Sequence, residues 1–134
     1  MIEINNTINQ IKNNLKDDLP KILSEYGIND FDIYDIGYPT DQAKKICALR
    51  FAGSNNNDES EIFTFTVHIQ MPGIEENEAY KYIDAIKEYL VSFSPYKLGF
   101  QNKSYVIELL ENFRAGDFQA FFDVTMTAPK DDCD

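Results

Sequence analysis

Apolar residues recur at steps of three and four near the start of the chain, at Ile4, Ile8, Ile11, Leu15, Leu19, Ile22 and Leu23. That spacing lines one side of a helix, so it predicts an amphipathic N-terminal helix over residues 1–27. Pro20 lacks an amide hydrogen and crowds the preceding turn, which predicts a kink or a restart near Asp17 and Asp18. Gly27 supplies the stop.

The period then changes from helical to two. Phe31 to Ile36 alternates and closes on Gly37-Tyr38-Pro39, and Ile46 to Phe51 reads as a second strand. The run from Gly53 to Ser60 is too polar to bury and predicts a mobile loop between strands. The clearest strand is Ile62 to Met71. Phe63, Phe65, Val67, Ile69 and Met71 fall on one face, and Thr64, Thr66, His68 and Gln70 on the other. Such alternation predicts an antiparallel sheet with one covered face and one wet or partner-facing face. After Pro72-Gly73, the stripe Ala79, Ile83, Ile86, Leu90 and Phe93 predicts a second helix over Glu75 to Phe93, opened by acids that suit its positive end. Phe118 to Ala128 alternates again. Tyr105 to Phe113 suits either a strand or a helical turn, and a strand hairpin around Gly116 is the favoured reading.

The order helix, strands, helix, strands predicts an α+β fold: an antiparallel (mixed) sheet with two amphipathic helices packed on one face. The length of 134 residues fits a single domain, with residues 128–134 as an acidic flexible tail. Its 43% hydrophobic content is enough to support a core.

Charge narrows the choice of partners. The formal net charge is −11 at neutral pH, which disfavours unaided binding to nucleic acid or an anionic membrane surface and favours cations or basic protein surfaces. The same charge also serves solubility. With only Cys47 in an apolar stretch and Cys133 in the acidic end, a disulfide-stapled scaffold is not indicated, and Cys47 reads as a small core residue. The start of the chain lacks the basic-then-apolar layout of a secretory signal, and no apolar run is long enough to cross a membrane.

The chemistry-bearing residues form no recognisable catalytic set. His68 is the single histidine, flanked on its strand face by Thr66 and Gln70, so it lacks the usual nucleophile or base partner. No CxxC, HxxxH or calcium-loop spacing occurs, and no metal or cofactor is expected. The acidic runs at 58–61 and 131–134 read as solvated charge. Glu108, between Ile107 and Leu109, is the one carboxylate in an apolar context. Two features point toward binding. The second faces of the strands at 62–71 and 118–128 carry Thr, Gln and Asp where a freely solvated face usually carries Lys and Glu. Several tyrosines, among them Tyr34, Tyr38, Tyr80 and Tyr96, fall at turns or helix edges. The expected interaction residues are Asn55, Asn56, Asn57, Asp58 and Glu59 in the polar loop, and Thr64, Thr66, His68 and Gln70 on the strand.

The N-terminal helix, the turn Ile36-Gly37-Tyr38-Pro39, the strand from Ile46, the polar loop, the alternating strand from Phe63, the acid-started helix and the closing strand from Phe118 together resemble the tail terminator or tail completion proteins of long-tailed bacteriophages. The resemblance is one of length, element order and strand texture over nearly the whole chain, with no diagnostic motif. It implies a non-enzymatic structural protein that assembles with itself into a ring, commonly of six, on the end of a tail tube. Such a ring meets other tail or connector proteins, is made in the bacterial cytoplasm and ends in the virion tail. Two other readings compete. One is a small acidic immunity or inhibitor protein that neutralises a basic partner. The other is an enzyme with a pocket built on Glu108 or His68.

Overall fold

Both helical stripes and all the alternating segments become elements of one layered structure in the computed structural model, which describes residues 3–36, 44–56, 59–112 and 117–129. In chain order these are α1 (Ile4–Glu25), β1 (Asp32–Ile36), β2 (Ile46–Asn56), β3 (Ser60–Gln70), α2 (Glu76–Ser92), a short 3₁₀ turn (Pro95–Leu98), β4 (Asn102–Asn112) and β5 (Asp117–Pro129). The strands form a mixed five-stranded sheet in the order β1-β2-β3-β5-β4. Only β1 with β2 is parallel, and the other three pairings are antiparallel. This is the expected α+β fold.

Register decides which residues meet the helices. Leu49, Val67, Phe122 and Ile107 stand opposite one another across four strands, as do Phe51, Phe65, Val124 and Tyr105 in the next row. These rows lie under Ile8, Ile11, Leu15, Leu19 and Leu23 of α1 and Ala79, Ile83, Ile86 and Leu90 of α2 in one buried cluster. Phe93, just past α2, meets Phe65 edge-on with ring centroids 6.1 Å apart. The helices are also joined by a polar bond, Tyr89 Oη donating to Asn14 Oδ1 at 2.6 Å. Burial pushes the Tyr89 phenol well above its ordinary range, which keeps it a neutral donor. Cys47 is fully buried in the same cluster, as expected of a small core residue.

Three expectations change. Helix α1 runs unbroken from Ile4 to Glu25 with Pro20 inside it. Pro20 is exposed and forgoes one amide bond, while Leu15, Leu19 and Leu23 around it are buried and hold the stripe together. The polar run after Phe51 is largely strand. Ala52 forms a bulge, the register moves from Phe51 opposite Phe65 to Gly53 opposite Thr64, and pairing continues to Asn56 opposite Glu61. Main-chain bonding to β3 overrides the low strand propensity of Gly53-Ser54-Asn55-Asn56. The favoured strand reading of Tyr105 onward holds, with residues 105–112 paired to β5 throughout. Ala128 and Pro129, expected in the tail, complete β5, with Ala128 buried, while 130–134 and 113–116, where the hairpin turn around Gly116 was expected, lie outside the described residues.

The two helix ends are closed by different means. At α1, Gly27 takes φ +73°, its amide donates to Ser24 O at 3.0 Å, and Ile28 N donates to Leu23 O at 2.9 Å. Leu23 and Ile28 are both buried, which completes a Schellman closure. At α2, Lys103 reaches across from β4. Its Nζ donates to the carbonyls of Leu90, Val91 and Phe93 and lies 5.7 Å from the centre of the Phe93 ring. A cation at the negative end of a helix is favourable, and burial there holds the ammonium below its ordinary pKa. Replacing the charge while keeping the stem, Lys103→Met, should cost about 1–2 kcal/mol. A lower urea midpoint with an unchanged slope would show it. An unchanged midpoint would mean that the cap contributes nothing.

Candidate functional site

β3 carries the polar candidates, and its position in the middle of the sheet determines their surroundings. Their face is the one turned away from the helices. There Thr64 Oγ1 lies 3.3 Å from Thr125 Oγ1, and Thr66 Oγ1 donates to Asp123 Oδ1 at 2.7 Å. His68 Nε2 lies 2.8 Å from Gln119 Oε1, and Gln70 Nε2 donates to the Lys44 carbonyl at 3.0 Å. The result is a polar ladder running along β3, each rung tied to a neighbouring strand or segment. Thr66, His68 and Gln70 are buried, so this part of the face is packed rather than wet. Ile46 and Ala48, opposite Gln70 and His68 on β2, are fully buried on the same side. Openness increases toward the other edge, where Ser104, Val106 and Glu108 of β4 are exposed. The second face is thus closed at its β2 side and open at its β4 side.

His68 is the most constrained member. Its ring stacks on Phe121 with centroids 4.3 Å apart and planes 17° apart. An amide oxygen only accepts, so the ring proton sits on Nε2 and the lone pair on Nδ1. Nδ1 is buried without a hydrogen-bond partner. Burial lowers the pKa of His68, the bond to Gln119 opposes that shift, and the charge of Arg50, whose residue stands opposite Thr66, adds to the lowering. The side chain is therefore neutral and fixed. Among the described residues it has no nucleophile partner, and its contacts to Gln119 and Phe121 tie β3 to β5.

The seven expected interaction residues that the structure describes fall into two groups at different places. Thr64, Thr66, His68 and Gln70 make up the ladder. Asn55 and Asn56 sit at the far end of β2, opposite Ile62 and Glu61, with Asn55 and Glu59 exposed at the tip of the β2–β3 hairpin. Asn57 and Asp58 lie outside the described residues. Glu108, considered for acid–base work, is exposed on β4. Among the described residues no three His, Cys, Asp or Glu side chains converge as a metal site would require. No described helix is long and apolar enough to cross a membrane.

One polar cluster left no trace in the residue pattern. Lys45 Nζ donates to Asp30 Oδ2 at 2.8 Å and lies 3.2 Å from Tyr82 Oη, which itself donates to Asp30 Oδ1 at 2.8 Å. The bond from Lys45 holds the Asp30 carboxyl below its ordinary range, the same bond raises Lys45, and burial raises Tyr82. Tyr82 also meets Phe31 at 5.3 Å between ring centroids. The cluster fastens the segment before β1 and the start of β2 to α2. Asp30 and Lys45 are fifteen residues apart in sequence, and neither stands in a motif, so only the fold reveals them.

A hollow of about 430 Å³ lies between the start of α1 and the turn after α2 and is lined by Glu3, Thr7, Gln10, Glu61 and Lys97 among others. It is shallow and mixed in charge, and it lies away from the ladder. No protein-family model matches the chain, and no curated protein matches it at a significant level.

The neutral burial of His68 has a pH signature. Its pKa is lower when folded than the ordinary 6.5, so as pH falls the unfolded chain takes up this proton first. The stability it protects is complete above about pH 6.5 and declines below it. Asp30, lowered from 3.8, acts only in more acidic solution. Urea titrations at about pH 7.5 and about pH 5 should therefore show the wild type losing more stability than His68→Gln. Equal losses would remove His68 from the account.

Proposed function

We propose that this chain is a non-enzymatic structural protein of the phage tail terminator kind, which closes into a ring on the end of a tail tube and presents a surface to the head connector. The observation that carries the reading is the open half of the second sheet face. Thr64, Thr125 and Thr127 there are uncharged and half-buried, and Thr64 and Thr125 are already within bonding distance. A polar surface whose rotamers are fixed before contact loses less entropy on docking than a coat of free lysines and glutamates. Length, element order and the α+β fold agree with the resemblance. In a ring each copy uses two different patches, so this face and the β2–β3 hairpin tip of one subunit meet another surface of the next. The acidic character suits a ring through which DNA passes without adhering. Assembly takes place in the bacterial cytoplasm, and the finished ring resides in the virion tail.

A second reading rests on the net charge of −11 itself: an immunity or inhibitor protein that binds a basic partner one to one. Light scattering behind size-exclusion chromatography, over a concentration series with and without millimolar magnesium, separates the two. The ring reading expects a concentration-dependent species near six times the 15.4 kDa chain, and ring-shaped particles by negative stain. Thr125→Lys should return that species to monomer without changing the circular dichroism. A 15.4 kDa species at every concentration, with no rings, would overturn the ring and leave the inhibitor reading.

A further inference from the structure

Strand β4 ends the sheet, and among the described residues no strand pairs with its outer side. Edge strands are normally blunted by brevity, proline, a bulge or an outward lysine, because unpaired main-chain groups invite another strand. β4 has none of these. It is eleven residues long and contains no proline, and its register with β5 is unbroken from Asn102 opposite Thr127 to Asn112 opposite Asp117. Its one lysine, Lys103, is drawn inward onto the end of α2.

Exposed apolar surface gathers at the same place. Val106 is 61% exposed on one face of β4 and Leu109 45% exposed on the other. Val91 at 65% and Tyr96 at 73% border a hollow of about 450 Å³ that Asn102 and Lys103, at the start of β4, also line. Among the described residues, four of the six large hydrophobic side chains that stand exposed are therefore on this strand or beside its start. The helix-side face of the strand presents Tyr105, Ile107 and Leu109, and the other face presents Ser104, Val106 and Glu108.

We propose that the free edge of β4 is a docking site for an extended segment of a partner protein whose residues alternate apolar and basic. Paired to β4, such a segment lays its apolar residues beside Tyr105, Ile107 and Leu109, extending the surface over the core, and sets a lysine or arginine beside Glu108. Main-chain bonds supply affinity and the alternation supplies specificity. Charge decides between occupants. With Lys103 engaged, Glu108 is the exposed charge left on the strand among the described side chains, and a second copy would bring a further net −11 against it. The site stands whether or not copies of the chain assemble into a ring.

The test is a capped nine-residue peptide of alternating valine and lysine, titrated into the full-length protein and followed by amide NMR and hydrogen exchange. Binding should slow exchange at alternate amides between residues 102 and 112 and weaken as salt is added. Val106→Lys, at an exposed position, should weaken binding about tenfold or more while leaving the amide spectrum of the other strands unchanged. The same peptide with glutamate for lysine should not bind. No binding at millimolar peptide, protection elsewhere than β4, or equal binding of the acidic peptide would each overturn the proposal. So would protection of β4 that rises with protein concentration alone, which would give the edge to a second copy.

Discussion

The pairing of β3 with both of its neighbours is the constraint on which the rest of the structure depends. Ten residues of β2 and eleven of β5 stand in register with it, so its alternation is imposed on the whole sheet. Phe63, Phe65, Val67 and Ile69 must then lie under the helices, and Thr64, Thr66, His68 and Gln70 must find partners on the other side. A slip of one residue would put four threonine, histidine or glutamine side chains into the core and four large apolar ones outside, at a cost far beyond the total stability of a domain this size. The cross-strand bonds to Asp123, Gln119 and Thr125 are what make the second face possible without helices on it.

How much of this could be read from the residues depends on the range of the interaction. The stripe from Ile4 to Leu23 and that from Ala79 to Phe93 identify helices because the contacts that matter recur every turn. The alternation of Phe63 to Met71 identifies the central strand for the same reason. The continuation of β2 through Gly53-Ser54-Asn55-Asn56 could not be seen that way, since its cause is the main chain of β3 and not its own side chains. Nor could the survival of α1 through Pro20, which rests on burial contributed by the sheet. At the candidate site, the residues on the polar face of β3 were legible as a set, but their burial was not. Alternation tells which residues share a face, and it is silent on whether that face meets water. Asp30, Lys45 and Tyr82 illustrate the limit, because their union depends on how three separate segments converge.

The two faces of the sheet divide the work of the molecule. One is sealed by helices and closed at its ends by Gly27 and by the reach of Lys103. The other grades from a packed polar ladder at β2 and β3 to an open border at β4. Rigidity and accessibility thus sit side by side on a single sheet. A contact formed at the open border is backed by strands whose side chains are already committed, so little reorganisation is required. The acidic surface sets the sign of what can approach, while the exposed apolar residues set where it can settle.

Cys47 gives this architecture a built-in clock. Its sulfur is fully enclosed between the helices and the sheet, and burial pushes the thiol up to about 12, so in the native state almost no thiolate is present and no reagent can reach it. Chemical silence of that kind is conditional on the fold staying shut. Each opening that parts β2 from the layer above it exposes a thiol of ordinary reactivity, and the pace at which the sulfur becomes modified then counts those openings. A residue that contributes only volume to the folded molecule thereby records how often the core comes apart.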